Sequence, residues 1–222
     1  LIKKHSHFLV NVLRLKYMDQ ISVFNSESGE WSARIIDSSK KMVVIKTVAQ
    51  LRRPEREYGP WLAFALIKKT RMDFLIEKAT ELGVERLMPV ITHFTGPQRF
   101  NLDRLVLHSI EAVEQSGRLS KPEICPVIDF GTFLKTWPKN RHLFFGDETG
   151  KGKPVGCLLD EMLSNEEKLC GFFTGPEGGF SNLELSTLNK LIYAHGMDLG
   201  PRTLRSETAA IAALSAWNAI LD

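Results

Sequence analysis

The chain has 222 residues, 43% of them hydrophobic and 25% charged, with a net charge of +3, and reads as an ordinary soluble globular protein. No apolar run approaches the roughly 18 residues of a membrane span, and no basic-then-apolar leader is present. Cys125, Cys157 and Cys170 show no paired spacing, and only His5 and His7 lie close together, so neither a disulfide framework nor a metal site is expected and a reducing cytoplasm fits.

The first fifty residues hold a helix-like "HFLVNVLRL" and then three β-branched and aromatic runs, "QISVFN", "EWSARIID" and "KMVVIKTV". Turn-rich "NSESGE" and "DSSKK" separate the runs, which predicts a small antiparallel β domain. So short a module makes a marginal core, and an opening strand is expected to precede Leu1. Residues 1–56 carry eleven Lys/Arg against five Asp/Glu, a net of +6, whereas the remainder is mildly acidic. Either a polyanion-binding appendage or scattered surface charge would give that asymmetry. "LRRPEREYGP" marks the boundary, giving domains 1–56 and 57–222.

From Trp61 the pattern becomes strand–helix alternation. "WLAFALI" reads as a buried strand. A helix with Met72, Leu75, Ile76, Ala79 and Leu82 on one stripe follows, ended by Gly83. "VERLMPVIT" is the next strand. Asn101 caps a helix whose Leu102, Leu105, Val106, Ser109, Ile110 and Val113 are expected to face inward. "HLFFGDE" and "LCGFFTG" are further strands. Repeated βα units predict an α/β fold with a mostly parallel sheet.

Thr174–Phe180 leaves a strand and meets a helix opened by a Ser181–Glu184 capping box. That helix is expected to run through Leu185, Leu188 and Ile192 to His195, with Gly196 as its stop. In an open α/β sheet such a loop is where ligands bind. The spacing is neither that of a P-loop, since no lysine follows the glycines, nor G-x-G-x-x-G. Bare glycines beside Pro176 and Glu177 suit close backbone approach to a flat neutral group, or a tight turn alone. A second loop, "LGPRTLRSETA", shows Arg202 and Arg205 and enters an almost wholly apolar helix with Ser206 as its expected N-cap. Gly175 and Gly200, at successive strand ends, are expected to flank one cleft.

The pair "FFTGPEGGFSNLEL" and "LGPRTLRSETAAIAAL", with "EKATELGVERLMPV", "EAVEQSGR" and "HFLVNVLRL" upstream, resembles the RsmE family of 16S ribosomal RNA uridine N3-methyltransferases, in the SPOUT superfamily. The likeness covers nearly the whole chain. One departure is Tyr17-Met18-Asp19, where members usually carry a glycine before the aspartate.

The resemblance implies a PUA-like β-barrel before a SPOUT domain with a C-terminal trefoil knot, S-adenosylmethionine as cofactor, a homodimer, and 16S rRNA or the small ribosomal subunit as partner. It places the cofactor against Phe173, Thr174, Gly175, Gly178, Gly179, Leu199, Gly200 and Leu204. Arg205 becomes the expected charge-stabilising residue, and Glu177 or Glu207 the base or a loop-shaping acid. RNA contacts are expected at Arg14, Arg52, Arg53 and Arg202, with Lys3, Lys4, Lys16 and Arg56 gripping phosphates. Gln115 and Arg118 are either RNA contacts or ordinary helix-end polar residues. The other function compatible with the fold is an RNA-binding assembly factor that transfers no methyl group.

Overall fold

The computed structural model describes residues 3–38, 42–55, 57–97 and 100–221. The chain divides into two compact units, Leu1–Arg56 and Glu57–Asp222. Among the described residues no helix is long and apolar enough to cross a membrane.

In the first unit α1 (Lys3–His7) runs into a single π-turn, Phe8–Val12, and then an antiparallel meander of β1 (Gln20–Asn25), β2 (Gly29–Ser38) and β3 (Val43–Arg52). The β1–β2 turn forms because the Asn25 side-chain oxygen accepts from the Glu27 and Ser28 amides. Gly29 completes it at φ +74, where a Cβ would collide with the Arg52 carbonyl. Ala33, Ile35 and Val43 are its fully buried apolar residues, and the Ser6 hydroxyl accepts from the Val43 amide at 3.0 Å. Met18 holds φ +72 while its amide donates to the Ile35 carbonyl, so a side chain occupies a backbone geometry that favours glycine.

The second unit is a parallel sheet covered on both faces. Its strands are β4 (Trp61–Ala65), β5 (Arg86–Ile91), β6 (Glu123–Ile124), β7 (Ile128–Asp129), β8 (His142–Gly146), β9 (Lys153–Pro154), β10 (Cys170–Thr174) and β11 (Ala194–Asp198). They lie in the order β6-β5-β4-β10-β8-β11-β9, with β7 also on β5, and every pairing is parallel. Alternate residues enter opposite cores. Leu62, Phe64, Phe144 and Phe172 pack among residues of α2 (Lys69–Glu81), α5 (Val155–Ser164) and α7 (Ser206–Leu221). Ala63, Leu143, Phe145 and Phe173 pack with residues of α4 (Phe130–Thr136) and α6 (Asn182–Leu188). The second helix of this unit in chain order, α3 (Leu102–Ser116), starts on Asn101, whose side chain accepts from the Arg104 amide. Burial on both faces is why these strands read as continuous apolar runs.

Three expectations need correction. The helix after Ser181 stops at Leu188, and residues 194–198 are a strand. The capping box forms as expected, but parallel pairing of Ala194–Met197 with Leu143–Gly146 outweighs the helical pattern beyond it. Ile192 is 95% exposed, and Gly196 sits in β11 beside Asp147 rather than ending a helix. In α3, Leu105, Ser109 and Val113 are buried, but Leu102 and Ile110 are exposed and Ala112 takes an inward place. Ser206 is the first residue of α7 rather than its cap: the Arg205 carbonyl accepts from the Ala209 amide, and the Ser206 hydroxyl donates to Thr174 Oγ1 at 3.4 Å.

At the amino edge of the sheet, His142 Nδ1 lies 3.3 Å from His195 Nε2, and His142 Nε2 lies 2.6 Å from Glu167 Oε2. Burial, with His142 beside it, pushes His195 below the ordinary imidazole value. Burial also pushes the Cys170 thiol up to about 12, which makes it an inert core residue.

Candidate active site

Three adjacent parallel strands, β10, β8 and β11, deliver three loops to one edge of the sheet. Between them lies a cavity of about 340 Å³, within the size range of small-molecule sites, roughly 300–1,000 Å³. Loop 174–180 is a turn closed by the Gly179 amide donating to the Pro176 carbonyl at 3.0 Å, with Gly179 at φ +71. Phe180 anchors it, its ring 4.8 Å from that of Phe173. Loop 198–205 bends where Asp198 Oδ1 accepts from the Gly200 amide at 2.9 Å and Gly200 takes φ +107. Loop 146–150 lies between them; its Asp147 amide donates to the Met197 carbonyl and its Asp147 Oδ1 accepts from the Thr149 amide.

Of the residues expected around a cofactor, Thr174, Gly175, Gly179, Leu199, Gly200 and Leu204 line this cavity, and Arg202 joins them. Two do not. Phe173 is fully buried in the core, and a Cβ at Gly178 would meet Phe94. Sequence reading missed the third wall, Gly146, Asp147, Glu148 and Gly150. Its signal was present in "FFGDETG", two acids flanked by glycines where a buried strand ends.

Glu177 stands outside the cavity lining. Its Oε1 accepts from Arg71 Nη1 at 2.7 Å, and Arg71 Nε lies 3.7 Å from Glu207 Oε1. Glu207 is buried, and its Oε2 has no hydrogen-bond partner among the described residues. Arg71 itself, in "KTRMD" at the start of α2, carried nothing to distinguish it from a surface charge. Arg205 is exposed, and both its chain neighbours line the cavity.

The expected RNA contacts separate. Arg118 is only 9% exposed: its Nε donates to Glu57 at 2.6 Å and its Nη1 to the Thr80 and Val84 carbonyls at 2.7 and 3.1 Å. It fastens the end of α2 to the segment after α3 and is not a surface contact. Burial raises the Glu57 carboxyl, but the Leu119 amide and Arg118 outweigh it and hold the group below the usual value. Gln115 is exposed on α3. Arg14 and Arg53 are exposed, whereas Arg52 Nε is paired with Glu30 at 2.5 Å. Arg56 and the side chains of Lys3 and Lys4 lie outside the described residues.

Residues 55–218 match the model of an RNA methyltransferase domain, and residues 3–48 that of an RNA methyltransferase PUA domain. Over 211 residues the chain is 35% identical to the ribosomal RNA small subunit methyltransferase E of Rickettsia conorii, covering 95% of this chain and 85% of that one. The crystal structure of a ribosomal RNA small subunit methyltransferase E from Neisseria gonorrhoeae bound to S-adenosyl methionine superposes with a TM-score of 0.86, at 25% identity over 99% of this chain and 90% of that one. A putative methyltransferase from Legionella pneumophila, also with bound cofactor SAM, gives 0.84 at 28% identity over 99% and 90%.

Proposed function

This chain belongs to the ribosomal RNA small subunit methyltransferase E family, and we propose that it transfers a methyl group from S-adenosylmethionine to N3 of a uridine in 16S rRNA. The observation that carries the reading is the single cavity walled by both glycine loops, at the edge of the sheet where ligands bind in α/β folds.

The residues present fit the cofactor. Met197, Leu199, Leu204 and Phe180 offer apolar contact to an adenine ring, and the glycines leave backbone edges bare beside it. Asp147 and Glu148 supply negative charge for a group that carries a sulfonium and an ammonium. The Glu148 carboxylate lies against Gly179, whose φ of +71 favours glycine at that place in the wall. When bound, the cofactor supplies an electrophilic methyl group.

The chain's own part is positioning and charge. Uracil N3 keeps its proton at neutral pH, so transfer needs that proton removed or the resulting anion stabilised. Arg205, between two cavity-lining residues, cannot serve as a base because a guanidinium stays protonated; it stabilises the developing negative charge. Glu177, engaged by Arg71, is a positioning residue that shapes the turn. Glu207, buried beside Arg71 and outside the cavity lining, holds the first turn of α7 in shape as Glu177 holds its own turn.

Residues 1–56 act in this reading as the RNA-gripping domain, and 57–222 carry out transfer in the cytoplasm, where the ribosomal substrate is made. The trefoil knot belongs to the proposal as what the family resemblance implies. The homodimer belongs to it as what the family resemblance implies, since the apolar residues Ala210, Ala213 and Leu214 of α7 are already buried in the core of this chain. Incubation of unmodified 16S rRNA with protein and S-adenosylmethionine, followed by nucleoside mass spectrometry, is expected to yield N3-methyluridine. Cofactor binding without that product would favour an assembly factor.

A further inference from the structure

We propose that the Thr92–Thr95 turn at the end of β5 is a platform for an unstacked nucleobase of the RNA substrate, with Phe94 as its face. The proposal rests on the methyltransferase reading and adds to it a binding site outside the cofactor cavity.

The turn is rigid. The Thr95 amide donates to the Thr92 carbonyl at 3.1 Å, and the Thr92 amide donates to Thr95 Oγ1 at 2.8 Å. The His93 amide donates to Glu184 Oε1 at 2.8 Å, while the other oxygen of that carboxylate accepts from the Ser181 amide at 2.8 Å. One buried side chain therefore fixes both the β5 turn and the start of α6, the two supports of loop 174–180. On this fixed turn Phe94 is 50% exposed and belongs to neither core cluster. Its only ring neighbour among the described residues is His93, edge-on at 4.7 Å.

The ring is also tied in place to the active site. A Cβ on Gly178 would stand 3.2 Å from Phe94 Cβ and 3.6 Å from its Cγ, so Phe94 lies beside the place where Gly178 lacks a side chain. The next two residues, Gly179 and Phe180, line the cofactor cavity. A held, half-exposed aromatic ring one residue from a cofactor wall contributes little to folding. It offers what single-stranded RNA recognition requires, a flat apolar surface on which a splayed base stacks whatever its identity.

The test uses the full chain with S-adenosylmethionine and 16S rRNA. Phe94→Ala is expected to raise KM for RNA by about five- to hundredfold, in line with a lost stacking partner, with cofactor affinity by calorimetry unchanged. Phe94→Trp is expected to keep activity and to add RNA-dependent fluorescence quenching beyond that of the four native tryptophans. An unchanged RNA KM in Phe94→Ala overturns the proposal. So does a loss of cofactor affinity in its place, which makes the ring a buttress for Gly178, or a change of oligomeric state by sedimentation, which makes it an interface between copies. A wild-type chain that neither binds cofactor nor methylates RNA removes the enzymatic reading instead, and quenching of Phe94→Trp by 16S rRNA still decides the platform.

Discussion

Arg71 Nη1 lies 2.7 Å from Glu177 Oε1 while Arg71 Nε lies 3.7 Å from Glu207 Oε1. One guanidinium from α2 thus holds the proline–glycine turn and the first turn of α7, which carry two of the three cavity walls. Arg71→Ala is expected to weaken S-adenosylmethionine binding about three- to tenfold. Arg71→Lys should recover only part of it, since an ammonium lacks the forked geometry. Calorimetry measures both, and an unaltered dissociation constant in Arg71→Ala would show that the ion pairs do not shape the walls.

Arg205→Ala should leave the fold and cofactor affinity intact while kcat for methyl transfer falls by about a hundredfold or more, the scale of removing one charge-stabilising donor. Single-turnover assays separate that loss from slower RNA binding. Wild-type turnover would end the assigned role.

The exposed cations of the first unit should act through phosphates alone. Reversing Lys16 and Arg53 to Glu together is predicted to lower RNA affinity and flatten the slope of log affinity against log salt by at least about 1.4. Arg52→Ala should do less, because Arg52 is paired with Glu30. Filter binding across a salt series checks both, with cofactor affinity as the control.

Met18 holds φ +72, a backbone geometry that favours glycine, and is 46% exposed. Met18→Gly removes a left-handed strain while giving up little packing. A gain of about 0.5–1 kcal/mol in urea unfolding is expected. A loss of stability would mean that the methionine contributes more by contact than its backbone costs.

His195 has its protonation depressed in the folded state, by burial first and by His142 second. Above the unfolded value, about 6.5, the ring is neutral in both states and stability is fully present. As pH falls below that value the unfolded chain binds the proton first, so stability declines until the lower folded value is passed. Glu57 has the opposite origin: its folded value is depressed, so its contribution is present above about 4.3 and lost in more acid solution. Thermal midpoints between pH 7.5 and 3 should show two separate declines, and His195→Gln should remove the first.

Much of the site is readable from local chemistry. The Asn101 cap, the Ser181–Glu184 box and the two glycine–proline loops need only their neighbours in sequence, and all form. What escaped depends on distant chain. Arg71 and Glu177 are 106 positions apart, and nothing near either one marks the other. The acidic wall at Asp147 and Glu148 shows locally as acids between glycines, but its place between the two glycine loops follows from β8 lying between β10 and β11. His195 and Gly196 look like a helix end until β8 is placed beside them. Arg118 looks like a helix-end cation until Glu57 and the Thr80 and Val84 carbonyls surround it.

The place of β10 between β4 and β8 also bears on how the protein is made. A nascent chain that has emerged through Gly146 has delivered both flanks of the central slot, but not the strand that fills it. Phe172, fully buried in the finished protein, leaves the ribosome only after its partner Leu62 has waited more than about a hundred residues of synthesis and its partner Phe144 about thirty. Such distant pairing slows folding and leaves apolar edges open meanwhile. Closure of the sheet therefore waits on the arrival of Cys170–Thr174, and chaperone dependence should track that strand rather than any earlier one.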